Sequence, residues 1–95
     1  MENISKTMVD QIADHVGHNI EINIIDTSYN ITISGCLKDY DFDLNGLVLC
    51  VDDFNEMSFD LESYIVFGAD GFDELCYELR PEDNDRCTIM IRLYF

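Results

Sequence analysis

Apolar and polar residues alternate along most of this chain, and the period changes once. From residue 4 to 16 an apolar residue returns every fourth position, at Ile4, Met8, Ile12 and Val16. That spacing predicts an amphipathic helix over 4–16 with one apolar stripe, leaning on a sheet. Asn3 or Ser5 is placed to cap its start, and Gly17 stands where a left-handed C-cap belongs. From Asn19 the period drops to two. Ile20, Ile22 and Ile24 alternate with Glu21 and Asn23, the pattern of a half-buried strand over 19–26.

Asp26 to Asn30 supplies turn residues. Ile31 and Ile33 open a second strand, and Gly35 inside it predicts a bulge or bend before Leu37 resumes the pattern. Asp39–Gly46 reads as an acidic turn. Leu47–Val51 is a continuous apolar run, short enough for a strand covered on both faces. A turn at Asp52–Asn55 precedes alternation at Met57, Phe59 and Leu61. Tyr64–Phe67 is a fifth apolar piece, ended by Gly68. Residues 72–95 predict a C-terminal hairpin around the polar loop Pro81–Arg86, with Ile89, Ile91 and Leu93 on one face of its last strand. For 70–79 a helix through Phe72, Leu75 and Leu79 is the rival of a strand, and the strand is preferred. The expected fold class is α+β, mostly β: an N-terminal helix, then a small strongly bent sheet or barrel over 19–67, then the hairpin, all in one domain.

The stretch Gly35-x-Leu37-x-x-Tyr40-Asp41-x-x-Leu44-Asn45 followed by Leu47-Val48-Leu49 resembles the first signature of the Sm-like family. With Gly17, Ile20, Ile22 and Ile24 before it, the resemblance extends over residues 17–68. It implies a five-stranded SH3-like (Sm-like) barrel preceded by a helix. RNA binding in that family uses the turn asparagine, here Asn45, with an arginine–glycine pair after the fourth strand. This chain has Ile65-Val66-Phe67-Gly68 there, without the arginine. The resemblance therefore implies a scaffold without the family's RNA-binding chemistry.

Charge sharpens that reading. Among 95 residues, 20 are acidic and 5 basic, a formal charge of −15. Such a surface repels phosphate, which disfavours direct nucleic-acid binding and anionic membranes. It attracts basic surfaces, including the grooves in which other proteins hold DNA or RNA. Solubility alone needs roughly 2–8 net charges on a small domain. Fifteen carboxylates lie between Asp39 and Asp85 with only Arg80 among them. Candidate partner-binding residues are Asp39, Asp41, Asp43, Asp52, Asp53, Glu56, Glu82, Asp83 and Asp85, with Phe42 and Phe54 as aromatic anchors ringed by carboxylates. The competing reading is a generally solvated acidic face with aromatics that cap the barrel ends.

Candidate chemistry is thin. His15-Val16-Gly17-His18 brings two imidazoles close, and His15, His18, Cys36 and Cys50 could make a zinc site. Asp10 and Asp14 with His18 are an oxygen-rich rival. No Cys-x-x-Cys pair supports either, and core cysteines and surface histidines are the plainer reading. Asp39-x-Asp41-x-Asp43-x-Asn45 imitates the start of a calcium loop, but Leu44 and Cys50 stand where glycine and glutamate are needed. No phosphate-binding glycine loop, nucleophile elbow or His-Glu-x-x-His is present, so no enzymatic activity is expected. The N-terminal stretch reads as neither signal nor span, which predicts a cytoplasmic protein with reduced cysteines.

By type, the chain resembles phage-encoded acidic inhibitors, the anti-CRISPR and other DNA-mimic proteins, acting in a host cytoplasm. The expected partner is a basic nucleic-acid-binding protein such as a CRISPR effector nuclease. The alternatives are an Sm-like oligomeric adaptor without RNA binding and a small zinc-stabilised structural protein.

Overall fold

The computed structural model describes residues 5–44, 46–53, 55–70, 74–82 and 87–94, apart from the side chains of residues 5, 69, 70 and 74. Helix α1 (Ser5–Asp14) precedes seven strands: β1 (Asn19–Asp26), β2 (Asn30–Asp43), β3 (Gly46–Val51), β4 (Asn55–Asp60), β5 (Tyr64–Asp70), β6 (Glu74–Pro81) and β7 (Cys87–Tyr94). A 3-10 turn, Leu61–Ser63, joins β4 to β5. Residues 74–81 are a strand and not the rival helix.

The strands form one antiparallel sheet in the order β4-β3-β2-β1-β7-β6-β5. The chain is thus mostly β with a single described helix. The sheet is bent but does not close, so the five-stranded barrel is not formed. The fifth strand pairs with β6 at the far edge, and β7 takes the place beside β1. The C-terminal hairpin, β6 with β7, completes the sheet.

The bend lies in β2. Its first half, Asn30–Cys36, pairs with β1, and its second half, Leu37–Asp43, pairs with β3. A register shift between Leu37 and Asp39 makes Lys38 a bulge residue. The acidic stretch Asp39–Asp43 is therefore strand, not turn. Asp39, Asp41 and Asp43 alternate with Tyr40 and Phe42, and the period of two outweighs the turn preference of aspartate.

The core lies inside the bend. Ile20 and Ile22 of β1, Leu37 of β2, Leu47, Leu49 and Val51 of β3, Phe59 of β4, Leu61, Val66, Leu79 and Ile91 are all buried in one cluster with Met8, Val9 and Ile12 of α1. The helix contacts both β2 and β5, so it fills the concave side. Burying Met8 and Ile12 contributes about 1.5–3 kcal/mol each. The apolar stripe shifts near the helix end. Helix α1 stops at Asp14, and tighter bonds follow, from His15 N–H to the Ile12 carbonyl (3.0 Å) and from His18 N–H to the His15 carbonyl (2.9 Å). His15 turns inward and is buried, and Val16 turns outward. Gly17 has φ +97°, as a left-handed cap requires, and its N–H donates to the Leu37 carbonyl at 2.7 Å. The proposed caps at the helix start fall outside the described residues or side chains.

Candidate functional site

The outer face of the β2–β3–β4 corner follows from the register. Tyr40 and Phe42 lie on the core side with their partners Leu49 and Leu47. Asp39, Asp41 and Asp43 lie on the outer side, opposite Cys50, Val48 and Gly46 of β3. Across β3, the same three positions face Glu56, Ser58 and Asp60 of β4. The face thus has two rows of carboxylates flanking an uncharged stripe, Cys50–Val48–Gly46. Neighbouring aspartates of the β2 row are about 6.8 Å apart along the strand, Glu56 and Asp60 about 13.6 Å apart on either side of Ser58, and the rows are two strand spacings, about 9.5 Å, apart. All five carboxylate residues are exposed.

Both ends of this face are extended by further carboxylates. At one end Asp43 and Asp60 flank Gly46. The Asp60 carboxylate accepts from Glu62 N–H (3.1 Å) and from the Ser63 hydroxyl (3.2 Å). Ser63 in turn accepts, at its carbonyl, the N–H of Glu82 (3.2 Å), which brings Glu82 to this end. At the other end Asp52 and Asp53 form the β3–β4 turn. Asp52 has a structural task as well: its Oδ1 accepts the Cys36 N–H at 2.9 Å.

The two described arginines lie elsewhere. Arg80 pairs with Glu78 and sits over the Phe67 ring, 4.9 Å from its centroid. Arg92 Nη1 bonds Glu21 Oε2 at 3.0 Å, and the Tyr94 hydroxyl reaches the same oxygen at 3.3 Å. These contacts lie on β1, β5, β6 and β7. The charge is therefore asymmetric. On β5, β6, β7 and β1 two arginines offset part of the acid, whereas Asp39–Asp60 holds no basic residue and the exposed Lys38 stands just before it.

A surface depression of 410 Å³ opens where α1 meets β2, lined by Val9, Asp10, Tyr40, Asp41 and Phe42. Two aromatic rings and the Asp10 carboxylate suit a guanidinium or ammonium head with its aliphatic stem. Phe42 is 40% exposed and contributes here, on the opposite side of β2 from the aspartates. Sequence reasoning passed over Leu44, which is 92% exposed at φ +49° in the turn after β2. Its apolar side chain on an acidic rim was the available signal. Phe54, Asp83 and Asp85 lie outside the described residues, as does Asn45.

The metal candidates do not converge. His15 and His18 meet edge to face, with centroids 5.4 Å apart, and His15 Nδ1 is 2.7 Å from the Gln11 carbonyl. Among the described residues no group of three or more His, Cys, Asp or Glu could hold a metal ion, so Cys36 and Cys50 do not join the histidines, nor do Asp10 and Asp14 join His18. The calcium-like aspartates are held apart by their extended backbone. All four cysteines are free thiols. No described helix is long and apolar enough to cross a membrane. No protein-family model, curated protein or solved structure matches this chain.

Proposed function

We propose that this protein is a non-catalytic acidic inhibitor that occupies the basic groove of a nucleic-acid-handling protein and blocks nucleic-acid access, in the manner of DNA-mimic or anti-CRISPR proteins. The observation that carries the reading is the pair of carboxylate rows, Asp39–Asp41–Asp43 and Glu56–Asp60, within a stretch of 39–60 that contains no basic residue. Rigid strands hold these charges at fixed spacing, so little backbone freedom is lost on docking. On the other side of β2, the depression lined by Asp10, Tyr40 and Phe42 offers a receptacle for one lysine or arginine of the partner. Long-range attraction makes association fast and salt-sensitive.

The test is capture of partners from host lysate at low salt, eluted along a salt gradient. A nuclease, repair enzyme or CRISPR effector that elutes at moderate salt, and is lost with Asp41→Lys/Asp43→Lys, supports the reading. Retention unchanged by those substitutions, or no basic partner at all, overturns it. The rivals separate in the same preparation. A ring-sized oligomer argues for the Sm-like adaptor, and one bound zinc per chain for the zinc-stabilised protein.

A further inference from the structure

The first half of β2 has an open edge. Among the described residues only β1 pairs with Asn30–Gly35, because β3 begins its pairing at Leu37. Strand parity identifies the backbone groups on that open side. Cys36 directs its N–H and C=O toward Asp52, away from β1, whereas the Tyr29 carbonyl accepts the β1 N–H of Asp26. The pairing of β2 with β1 is regular from Asn30 to Cys36. The outward donors and acceptors are therefore those of Asn30, Thr32 and Ser34.

This edge is unlike the rest of the molecule. Residues 27–37 are the longest stretch of the chain without a charged side chain. Tyr29 is 49% exposed and Ile31 46% exposed. The β4 edge, by contrast, carries Glu56 and Asp60, and β5 is in contact with α1. Charges and covering helices are the usual protection of sheet edges, and among the described residues Asn30–Gly35 has neither.

We infer that Asn30–Ser34 pairs antiparallel with the same strand of a second copy, about a two-fold axis at Ile31. Two chains of charge −15 repel each other over most approaches, and the uncharged edge is where their backbones can meet. Asp52 blocks the edge at Cys36, so the hairpin tip Thr27–Ser28 of the incoming copy stops short of it, and this sets the register. Asn30 then exchanges hydrogen bonds with Thr32 of the second copy, and Thr32 with its Asn30, about four bonds in all. Ile31 meets Ile31 across the axis. Tyr29 lies opposite Ile33, an aromatic against a β-branched side chain, a favourable cross-strand pair. Both half-exposed apolar residues of the edge are thereby covered.

The proposal stands apart from the inhibitor reading, and salt distinguishes the two. Screening weakens attraction to a basic partner but relieves repulsion between two acidic copies. Sedimentation equilibrium of the full chain should show a monomer–dimer equilibrium that tightens with added salt. Thr32→Pro removes an edge N–H on each copy and should weaken dimerisation by roughly tenfold or more, with the far-ultraviolet circular dichroism unchanged. Ile31→Lys sets two like charges in register and should do the same without altering the backbone. Ile31→Cys places two α-carbons about 4.5 Å apart and should give a covalent dimer on mild oxidation, beyond any seen for the natural chain. A monomer at every concentration and salt overturns the proposal and leaves the edge to a strand of another protein. A dimer indifferent to both Thr32→Pro and Ile31→Lys overturns it equally.

Discussion

Asp52 and Cys36 clasp each other at the bend of the sheet. The Asp52 N–H donates to the Cys36 carbonyl at 2.8 Å, and the Cys36 N–H donates to Asp52 Oδ1 at 2.9 Å. Asp52 adopts φ +54° to do so, a left-handed conformation that aspartate and asparagine tolerate better than most residues. The neighbouring Gly35 leaves the space: a β-carbon there would stand 2.7 Å from Asp52 Oδ1 and Cγ.

Gly35→Ala should therefore destabilise the fold by about 1–3 kcal/mol, as overpacking does. Asp52→Ala should cost about 1–2 kcal/mol by removing the acceptor and straining the turn. Asp52→Asn, which keeps both the acceptor and the tolerance, should be close to neutral. In the double variant Gly35→Ala/Asp52→Ala the two losses should sum to less than their separate values, because the clash disappears with the carboxylate. Chemical denaturation of the four proteins measures this. Strict additivity would show that Gly35 is needed for some other reason.

The glycine was visible in the sequence as a bend, but its partner was not, since Asp52 is distant in the chain and aspartates are common here. The same limit recurs. The strands over 19–26 and 88–94 were legible because Ile20, Ile22, Ile89 and Ile91 follow a period of two that burial enforces, and 47–51 was legible as an apolar run, although only Leu47, Leu49 and Val51 are buried and its other face is half-exposed rather than covered. The C-terminal hairpin, β6 with β7, was legible, but how the other strands are ordered around it was not. Nothing in Tyr64–Phe67 says that it pairs with β6, or in Thr88–Tyr94 that it lies beside β1. The acidic face was half legible. The excess of carboxylates was plain, but reading Asp39–Asp43 as a turn hid the alternation that sorts aspartates outward and Tyr40 and Phe42 inward. His15 was misplaced because a helix ending at Asp14 changes the spacing of everything after it.

Leu44 stands 92% exposed with φ +49°, a conformation costing an L-residue about 1–2 kcal/mol. Asparagine bears that conformation at less cost. Leu44→Asn should raise the stability of the isolated protein by roughly 0.5–1 kcal/mol. If Leu44 is an apolar anchor for the acidic face, the same variant should lose partner retention in the capture experiment. Greater thermal stability with unchanged retention would assign Leu44 no part in binding.

Tyr64 packs against the core at the start of β5. Burial raises its phenol above the usual tyrosine range, with Cys87 and Asp60 nearby adding to the effect. The folded state thus favours the neutral phenol. That contribution is complete below the ordinary tyrosine value and is lost as pH rises through the higher folded one. Denaturation midpoints followed from neutral to alkaline pH should fall in the natural protein. Tyr64→Phe, which cannot ionise, should flatten that fall. Equal slopes in the two proteins would locate the alkaline sensitivity in other groups.

The carboxylate rows set stability against binding. Asp41 and Asp43 are exposed, stand in no ion pair among the described residues, and lie beside carboxylates of the same row. Asp41→Asn/Asp43→Asn should therefore raise the melting temperature at low salt, each substitution contributing a few tenths of a kcal/mol, roughly the scale of exposed charge interactions. Added salt should stabilise the natural protein and shrink the difference, because screening relieves the same repulsion. Glu21→Gln, at the oxygen shared by Arg92 and Tyr94, should act in the opposite sense and lower stability, since it weakens a favourable pair in a chain with few cations. If the acidic face binds a basic groove, the stabilised double variant should also elute from that partner at lower salt. A destabilised Asp41→Asn/Asp43→Asn protein would mean that these aspartates hold the strand in a way the outward register does not reveal. Unchanged elution would remove the β2 row from the binding surface.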